Sequence, residues 1–360
     1  MKRKYIFISV LLVMFACVIN VYAVTNVGTA GAQFLKIGPG ARADSLGGAF
    51  SALGNDVTAI YWNPAGLAQL EMTSFSATHT NWIADTYFNF LAIGLPIEKI
   101  GSIGFSITSL TMGSMEITTL AKPDGTGIYF NAGDAAVSLA YARQLNDKLS
   151  FGLNAKYIYQ KIHRESANGA AIDVGTLYKT GWRSLRIGMC FSNFGPEMSF
   201  SGPDLETGNE IAGDEQYTEY NPYPDTSNPN KIAQLETRSY PLPVNFRLGI
   251  AYDFIDDGEH LLTGILDGNH PNDNAERLNI GLEYWYKKMG AIRVGYKFRI
   301  PEKYTWQDEE VSTWDNEEEN ITCGLGVNLD MESIDLTFDY AFANFGRLKR
   351  AHRVTLGLRF

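Results

Sequence analysis

Cysteine is almost absent from this chain of 360 residues, which contains only Cys17, Cys190 and Cys323. Three cysteines are too few for a disulfide framework, although Cys190 and Cys323 could still form a single bridge. No CxxC or HExxH motif occurs, and the histidines are scattered rather than clustered. The sequence therefore predicts no metal site and no other cofactor.

Basic residues are also in deficit, with 30 Lys and Arg against 40 Asp and Glu, a formal net charge of −10. An acidic chain is poorly suited to nucleic acid, whose phosphates are neutralised by Lys and Arg. The sequence also lacks GxSxG, a Walker loop, and a GxGxxG between a strand and a helix. We therefore expect neither nucleic-acid binding nor catalysis, and we assign no catalytic residue.

A long apolar run occurs only at the N terminus. Lys2, Arg3 and Lys4 precede the apolar residues 5–16, and Ala23 offers a small residue for cleavage. This order is typical of a secretory signal peptide over residues 1–23. A retained membrane anchor and a lipoprotein processed at Cys17 are the alternatives. Beyond this segment no run of about 18 apolar residues occurs, so we expect no transmembrane helix.

The remainder of the chain alternates between apolar and polar residues. Within residues 244–254 every even-numbered residue is apolar, whereas the odd-numbered ones are Asn, Arg, Gly, Ala and Asp. Residues 149–160, 278–284 and 334–342 repeat this pattern. A period of two over about 9–11 residues is the length of a tilted strand that crosses a bilayer, whereas strands of soluble sandwiches are usually about 5–6 residues. We therefore predict an all-β transmembrane barrel rather than a soluble β-sandwich.

About fourteen strands are predicted, an even number as single-chain bacterial barrels require. Residues 113–119 are expected either to extend the third strand or to form an extracellular hairpin. The last strand ends on Phe360, which resembles the C-terminal signal that inserts barrels into the outer membrane. The predicted strands are 73–80, 87–96, 100–110, 133–144, 148–162, 170–180, 184–194, 244–254, 260–268, 276–286, 289–299, 320–329, 333–343 and 352–360.

The region before the first strand is rich in Gly and Ala. Residues 31–68 read GAQFLKIGPGARADSLGGAFSALGNDVTAIYWNPAGLA. The residue before a proline disfavours helical geometry, and proline suits the first position of a helix. A helical turn is therefore expected to end at Trp62, and another to begin at Pro64. Gly38, Gly40, Gly47 and Gly48 would allow close approach of the backbone in a narrow space.

This block closely resembles the start of the PorV/PorQ family of outer-membrane proteins. Its residues 61–67 are also similar to the wider FadL-like group of fatty-acid and hydrocarbon transporters. The resemblance implies a barrel formed by residues 72–360, with residues 24–71 folded inside its lumen as a plug. Arg42 and Asp44 would then pair with lumen charges, for which Arg247, Asp253, Asp335 and Asp339 are the candidates. The plug motif comprises Gly38, Gly40, Arg42, Gly47, Gly48, Tyr61, Trp62, Asn63, Pro64 and Gly66.

Two functions follow from the resemblance. A PorV-like protein receives cargo from the translocon of the type IX secretion system, and it recognises the C-terminal signal domain of that cargo. Its binding surface would then be the long loop 195–243, with Tyr217, Tyr220, Tyr223 and Tyr240 as candidates. A FadL-like protein instead passes hydrophobic small molecules, and a porin-like barrel without a specific ligand is the third hypothesis. In each case we expect the protein in the cell outer membrane, in contact with its lipid bilayer and lipopolysaccharide.

Overall fold

The computed structural model describes residues 27–207, 233–300, 303–306, 309–312, 320–346 and 350–360. The predicted signal peptide, Tyr217, Tyr220 and Tyr223 lie outside the described residues. Within them, no helix is long and apolar enough to cross a membrane. The helices are short turns, at Gln33–Lys36, Ala41–Ser45, Ala59–Trp62, Pro64–Gln69, Ile83–Asp85 and Pro203–Leu205.

Fourteen antiparallel strands form a closed barrel, in which the last strand pairs with the first. Among the described residues, three small hairpins lie outside this barrel. They pair Met115–Glu116 with Tyr129–Phe130, Glu206–Thr207 with Ala233–Gln234, and Lys303–Trp306 with Glu309–Ser312. In chain order the strands are β1 (Ser74–Asn81), β2 (Thr86–Ile97), β3 (Gly101–Met112), β4 (Met115–Glu116), β5 (Tyr129–Phe130), β6 (Ala132–Gln144), β7 (Leu149–Ile162), β8 (Glu165–Lys179), β9 (Arg186–Phe194), β10 (Glu206–Thr207), β11 (Ala233–Gln234), β12 (Asn245–Asp256), β13 (His260–Pro271), β14 (Arg277–Tyr286), β15 (Gly290–Arg299), β16 (Lys303–Trp306), β17 (Glu309–Ser312), β18 (Ile321–Met331), β19 (Ile334–Asn344) and β20 (Arg350–Arg359).

The fourteen barrel strands confirm the strands predicted from alternation, most of them within two residues at each end. The largest difference is β8, which begins at Glu165 rather than at residue 170. Residues 165–169 are mostly small or polar, so they carry no alternation of their own, and pairing with β7 makes them a strand. Met115 and Glu116 form a hairpin with β5, which confirms the second of the two possibilities for residues 113–119.

The two faces of the strands are those predicted. In β12, Arg247 and Ala251 point inward and are buried, whereas Phe246 on the other face is exposed. Large apolar side chains such as Leu91, Ile107 and Leu139 are exposed around the outside of the barrel. A contiguous apolar band of this kind is covered by the hydrocarbon of a bilayer. The chain therefore folds as a transmembrane β-barrel.

The two ends of the barrel differ in the length of their connections. At one end lie the start of β1, the end of β20 and short turns such as Lys287–Met289 between β14 and β15. At the other end β3, β9 and β15 finish, at Met112, Phe194 and Arg299, and the three longest connections of the barrel begin there. Short turns belong to the periplasmic side of an outer-membrane barrel and longer loops to the extracellular side. The end with the short turns is therefore the periplasmic end of this barrel, and the opposite end is the extracellular one.

The wall is irregular between β8 and β12. The pairing of β9 with β8 ends at Phe194, which lies opposite Ile172, with a bulge at Asn193. Toward the extracellular end, β8 is instead flanked by the segment 195–201, with a single bridge between Ser166 and Ser201. A loop therefore closes this part of the wall in place of a strand.

Candidate functional site

The N-terminal segment occupies the lumen and touches the wall on all sides. Nine barrel strands carry a glycine at which an added Cβ would meet atoms of residues 45–70. At Gly295 that atom would overlap the backbone of Gly47, and at Gly175 it would overlap the side chain of Asn63. At these positions the backbone of the wall lies so close to the plug that no residue with a Cβ atom would fit without a shift. The nine glycines are Gly94, Gly104, Gly152, Gly175, Gly188, Gly249, Gly281, Gly295 and Gly324.

The Asn63–Pro64 corner has the geometry predicted from the sequence. The helical turn ends at Trp62, Asn63 is extended with φ of −161°, and Pro64 begins the next turn. The Asn63 side chain accepts a hydrogen bond from the Ala65 amide at 3.2 Å, which caps that turn. It also donates to the carbonyl oxygens of Ser51 and Thr176 at 2.8 and 3.0 Å. This corner therefore ties two parts of the plug to β8.

The aromatic pair beside this corner packs inside the plug. The Trp62 indole donates to the Pro39 carbonyl oxygen at 3.0 Å, and the Tyr61 hydroxyl donates to that of Leu35 at 3.0 Å. A Cβ on Gly38 would collide with the Trp62 ring. Of the other motif glycines, Gly40, Gly47 and Gly48 have positive φ angles, and a Cβ on Gly66 would collide with the Gly54 carbonyl. The motif glycines thus serve the internal packing of the plug.

Arg42 holds the plug to one half of the wall. Its guanidinium donates to both carboxylate oxygens of Glu283, at 2.7 and 2.8 Å, and to Asp56 at 3.1 Å. Burial disfavours the charge of Arg42, but the adjacent Glu283 carboxylate outweighs this and raises the pKa of Arg42. Glu283 is shared with Arg293, which also donates to Asp339 at 2.6 Å. Two arginines and two wall carboxylates thus form one buried network.

The partners predicted for Arg42 and Asp44 were wrong. Asp44 pairs with Arg353 at 3.1 Å and with Lys297 at 3.7 Å, neither of which was proposed. Of the four predicted partners, Arg247 lies over the Tyr61 and Trp62 rings. The other three are taken by other wall residues, as Asp253 pairs with Arg186, Asp335 with Arg359 and Asp339 with Arg293.

The lining of the lumen has two chemically different halves. The charged half, on β12–β20, contains the Glu283 network, together with Asp267, which accepts the Phe50 and Ser51 amides at 2.9 and 2.8 Å. It also contains a smaller apolar cluster, in which Ala251 and Ile265 pack against the plug. The apolar half lies on β2, β6, β7 and β8, where buried apolar residues pack directly against the plug. These wall residues are Phe88, Phe90, Ala92, Ala136, Ala140, Ala142, Ile158, Ala167 and Ala171, and their plug partners include Ala32, Phe34, Leu35, Ile60, Leu67 and Leu70.

One buried apolar cluster of plug and wall residues extends along the axis of the barrel in this half. At the extracellular end Met198 and Leu242 belong to the same apolar cluster, with Phe200 and Tyr240 packed against it. At the periplasmic end the cluster reaches Leu70, at the base of β1. Polar side chains interrupt the lining at the Ser106–Ser138 hydrogen bond and at the buried Lys156–Asp173 ion pair. An apolar surface therefore extends from the outer loops to the inner mouth.

Two cavities lie beside the plug. One of about 20 Å³ lies where Leu35 and Ile60 of the plug face Phe90 and Ala136 of the wall, and its lining also includes the polar side chains of Ser106, Thr108, Ser138, Asn154 and Lys156. The other, of about 400 Å³, opens at the periplasmic mouth between the plug and the charged half, with Arg42 in its lining. The first holds roughly one water-sized probe, so a larger guest would require the surrounding side chains to move.

Tyr240 is the one predicted loop residue within the described part of the chain. Its ring lies against Gly31 of the plug and, at 5.9 Å between centroids, beside Phe200, while its hydroxyl donates to Gln160 at 3.0 Å. Tyr240 thus covers the extracellular side of the plug. Cys190 and Cys323 are both free thiols, and the described residues contain no cluster of metal ligands.

Sequence reasoning missed the residues that organise the lumen. Glu283 and Lys156 are charged residues on strand faces that alternation assigned to the inside, and Arg293 and Asp267 are charged residues within two other predicted strands. Each is almost fully buried, and a buried charge requires a partner. A charged residue at an inward-facing position of a predicted strand was therefore the signal that could have identified these four residues as ones that organise the lumen.

Comparisons with known proteins support the fold. A family model described as "Uncharacterised protein family (UPF0164)" matches residues 20–184. No curated protein matches the chain. The solved structures that match include toluene transporters from Pseudomonas putida (TodX) and Ralstonia pickettii (TbuX).

Both toluene transporters share 12% sequence identity with this chain, with TM-scores of 0.53 and 0.51 respectively. In each case the match covers 89% of this chain and 97% of the other. The monoaromatic hydrocarbon channel CymD matches at 11% identity and a TM-score of 0.50, over 89% of this chain and 96% of its own. At this level of identity the similarity shows a common fold.

Proposed function

We propose that this barrel carries small apolar molecules across the outer membrane. The observation that carries the proposal is the division of the lumen, since one half offers an apolar surface from the outer loops to the inner mouth. A water-filled pore would need no such surface, and its lumen would be polar. The common fold with toluene transporters supports the same function.

The route follows the apolar half. A guest would first meet Met198 and Leu242, with Phe200 and Tyr240 at the rim, and then pass between Phe34 of the plug and the small side chains of β6 and β8. Alanines at 136, 140 and 142 keep that side of the wall thin. Because apolar contacts are not directional, such a lining would accept several small apolar molecules rather than one.

The plug gives this route its selectivity. Ions and sugars would need hydrated space, whereas the cavity beside the plug in the apolar half holds only about 20 Å³ among the described residues. An apolar guest can be accommodated by rotamer changes in side chains that already contact one another through dispersion forces. The barrel is therefore expected to exclude polar solutes while admitting apolar ones.

Uptake into liposomes that contain the purified barrel tests this proposal. We expect the protein to speed the equilibration of toluene between the outer solution and an enclosed binding protein, and to leave glycerol entry at the rate of empty liposomes. Fast entry of both solutes would indicate a porin-like pore, which is the third hypothesis from the sequence. Toluene entry at the rate of empty liposomes would refute transport.

A role in protein secretion is the second candidate, and the N-terminal resemblance to PorV/PorQ proteins favours it. The cargo surface would lie on the long extracellular loop, where Tyr and Pro alternate between residues 217 and 224. Deleting residues 208–232 leaves β10, β11 and the contacts of Tyr240 in place, so we expect the barrel to fold. If the protein is a shuttle, the deletion should abolish binding of type IX cargo C-terminal domains in a pull-down. Cargo binding that survives the deletion would place the binding surface elsewhere.

A further inference from the structure

The lipid-facing surface of the barrel carries a polar cluster at its extracellular end, beside the closure of the barrel. It spans the outer ends of four adjacent strands, β19, β20, β1 and β2, where the barrel closes. Immediately below it the outward side chains are apolar and exposed, as at Leu91, Phe338 and Leu356. We call this cluster the seam patch, and its members are His79, Asn81, Tyr87, Asn89, Tyr340, Phe342, Arg350 and His352.

Hydrogen bonds give the seam patch a defined arrangement. The two ring nitrogens of His79 lie 2.7 Å from the Asn89 amide oxygen and 3.2 Å from that of Asn81. His352 Nδ1 lies 2.7 Å from the Tyr340 hydroxyl. Asn81 and His352 are register partners across the closure between β1 and β20. The patch is therefore one connected polar surface on the outside of the barrel, with no role in holding the plug.

Arg350 gives the patch its charge. Its guanidinium lies 5.8 Å from the centre of the Phe342 ring, and it forms no ion pair with any residue in the described part of the chain. The periplasmic end offers a contrast, because Lys287 lies over the Tyr286 ring there but also reaches Glu259 at 3.5 Å. The extracellular patch thus has an aromatic platform and a cation that has no ion-pair partner among the described residues.

The position of the patch indicates what the counterion of Arg350 is. Residues just above the apolar band lie at the level of the lipid headgroups, where the available anions are phosphates. Arginine binds phosphate with two parallel hydrogen bonds, and His and Asn offer further donors beside it. We propose that the seam patch binds the phosphate of an anionic lipid in the outer leaflet, with Arg350 as the principal contact.

Lipid retention in mixed nanodiscs tests this proposal. The barrel would be inserted in nanodiscs of phosphatidylcholine containing a minority of phosphatidylglycerol and then released into detergent. Native mass spectrometry would identify the lipids that remain bound to it. We expect the wild type to retain phosphatidylglycerol preferentially and Arg350→Gln to lose most of that preference, a change on the order of tenfold for the loss of one charge-assisted contact. Lys287→Gln is the matched control and should retain the lipid as the wild type does.

Three outcomes would overturn the proposal. Equal retention by the wild type and Arg350→Gln would mean that the patch is an ordinary interfacial belt. A loss as large in Lys287→Gln would show that any interfacial cation suffices. Displacement of the lipid by inorganic phosphate alone would assign the site to free phosphate. His352→Gln, which keeps the cation, should reduce retention less than Arg350→Gln, and unchanged circular dichroism would show that each variant is folded.

Discussion

Replacing Glu283 by glutamine is expected to loosen the plug and to lower the free energy of unfolding by about 3 kcal/mol, toward the lower end of the cost of breaking a buried ion pair. The reason lies in the two arginines that share this carboxylate, Arg42 on the plug and Arg293 on the wall. Arg293 is fully buried and Arg42 is mostly buried, although Arg42 lines the cavity at the periplasmic mouth, so the variant leaves positive charge where water reaches only one of the two guanidinium groups. Asp56 and Asp339 remain as partners, which keeps the cost at that end of the range.

Guanidinium unfolding in detergent micelles would measure the loss of stability, and conductance in a planar bilayer would report the plug. We expect Glu283→Gln to show open-channel events that the wild type lacks. Asp335→Asn is the matched control, because Asp335 pairs with the half-exposed Arg359 and such pairs contribute about 0–1 kcal/mol. Equal effects of the two substitutions would show that the Glu283 network does not hold the plug.

A double-mutant cycle separates the contribution of the plug from that of the wall. Arg42→Met removes the cation on the plug, and a coupling energy with Glu283→Gln of about 1 kcal/mol or more would show that the two groups act as a pair in the folded barrel. Additive effects would assign the stabilisation to Arg293 alone. This measurement therefore identifies which side of the shared carboxylate fixes the plug.

The barrel could be predicted from the sequence because lipid selects every second residue. A shift of one residue would turn the apolar face of a strand inward, so strands such as β12 and β19 are marked by their own residues. The start of β8 at Glu165 has no such mark, since its small and polar residues become a strand only by pairing with β7. The alternation of apolar and polar residues therefore does not predict a strand where only pairing with a neighbouring strand makes the residues extended.

The location of the plug followed from resemblance, and its contacts could not be predicted. Arg42 and Glu283 are 241 positions apart, and which wall charge faces the plug depends on the stagger of the strands around the barrel. The sequence predicts that Arg247, Asp253 and Asp339 face the lumen, but it does not give their positions along the axis of the barrel. The division of the lumen was hidden for the same reason, because the alanines of β6 alternate like any others until the plug is placed beside them.

Filling the apolar half should stop transport without opening the barrel. Ala136 of β6 lines the small cavity opposite Leu35 and Ile60 of the plug, so Ala136→Leu would place three more carbons in the proposed route. Overpacking a site of this kind costs about 1–3 kcal/mol. If passage requires the same space to widen, uptake should fall by on the order of tenfold, since about 1.4 kcal/mol of added barrier corresponds to that factor.

Ala341→Leu provides the matched control. Ala341 is also a buried alanine on the lumen face, but it lies on β19, in the charged half. The added volume is the same in the two variants, and they differ in which half of the lumen is filled. Thermal melts of both variants in the same detergent would confirm that they are folded to the same extent.

The rate of toluene uptake into liposomes containing wild type, Ala136→Leu or Ala341→Leu tests the central claim most directly. The two-halved lumen predicts that Ala136→Leu falls to within about twofold of empty liposomes, in line with a tenfold loss, and that Ala341→Leu stays near the wild type. Equal rates in the two variants, whether both fast or both slow, would contradict a route along the apolar half.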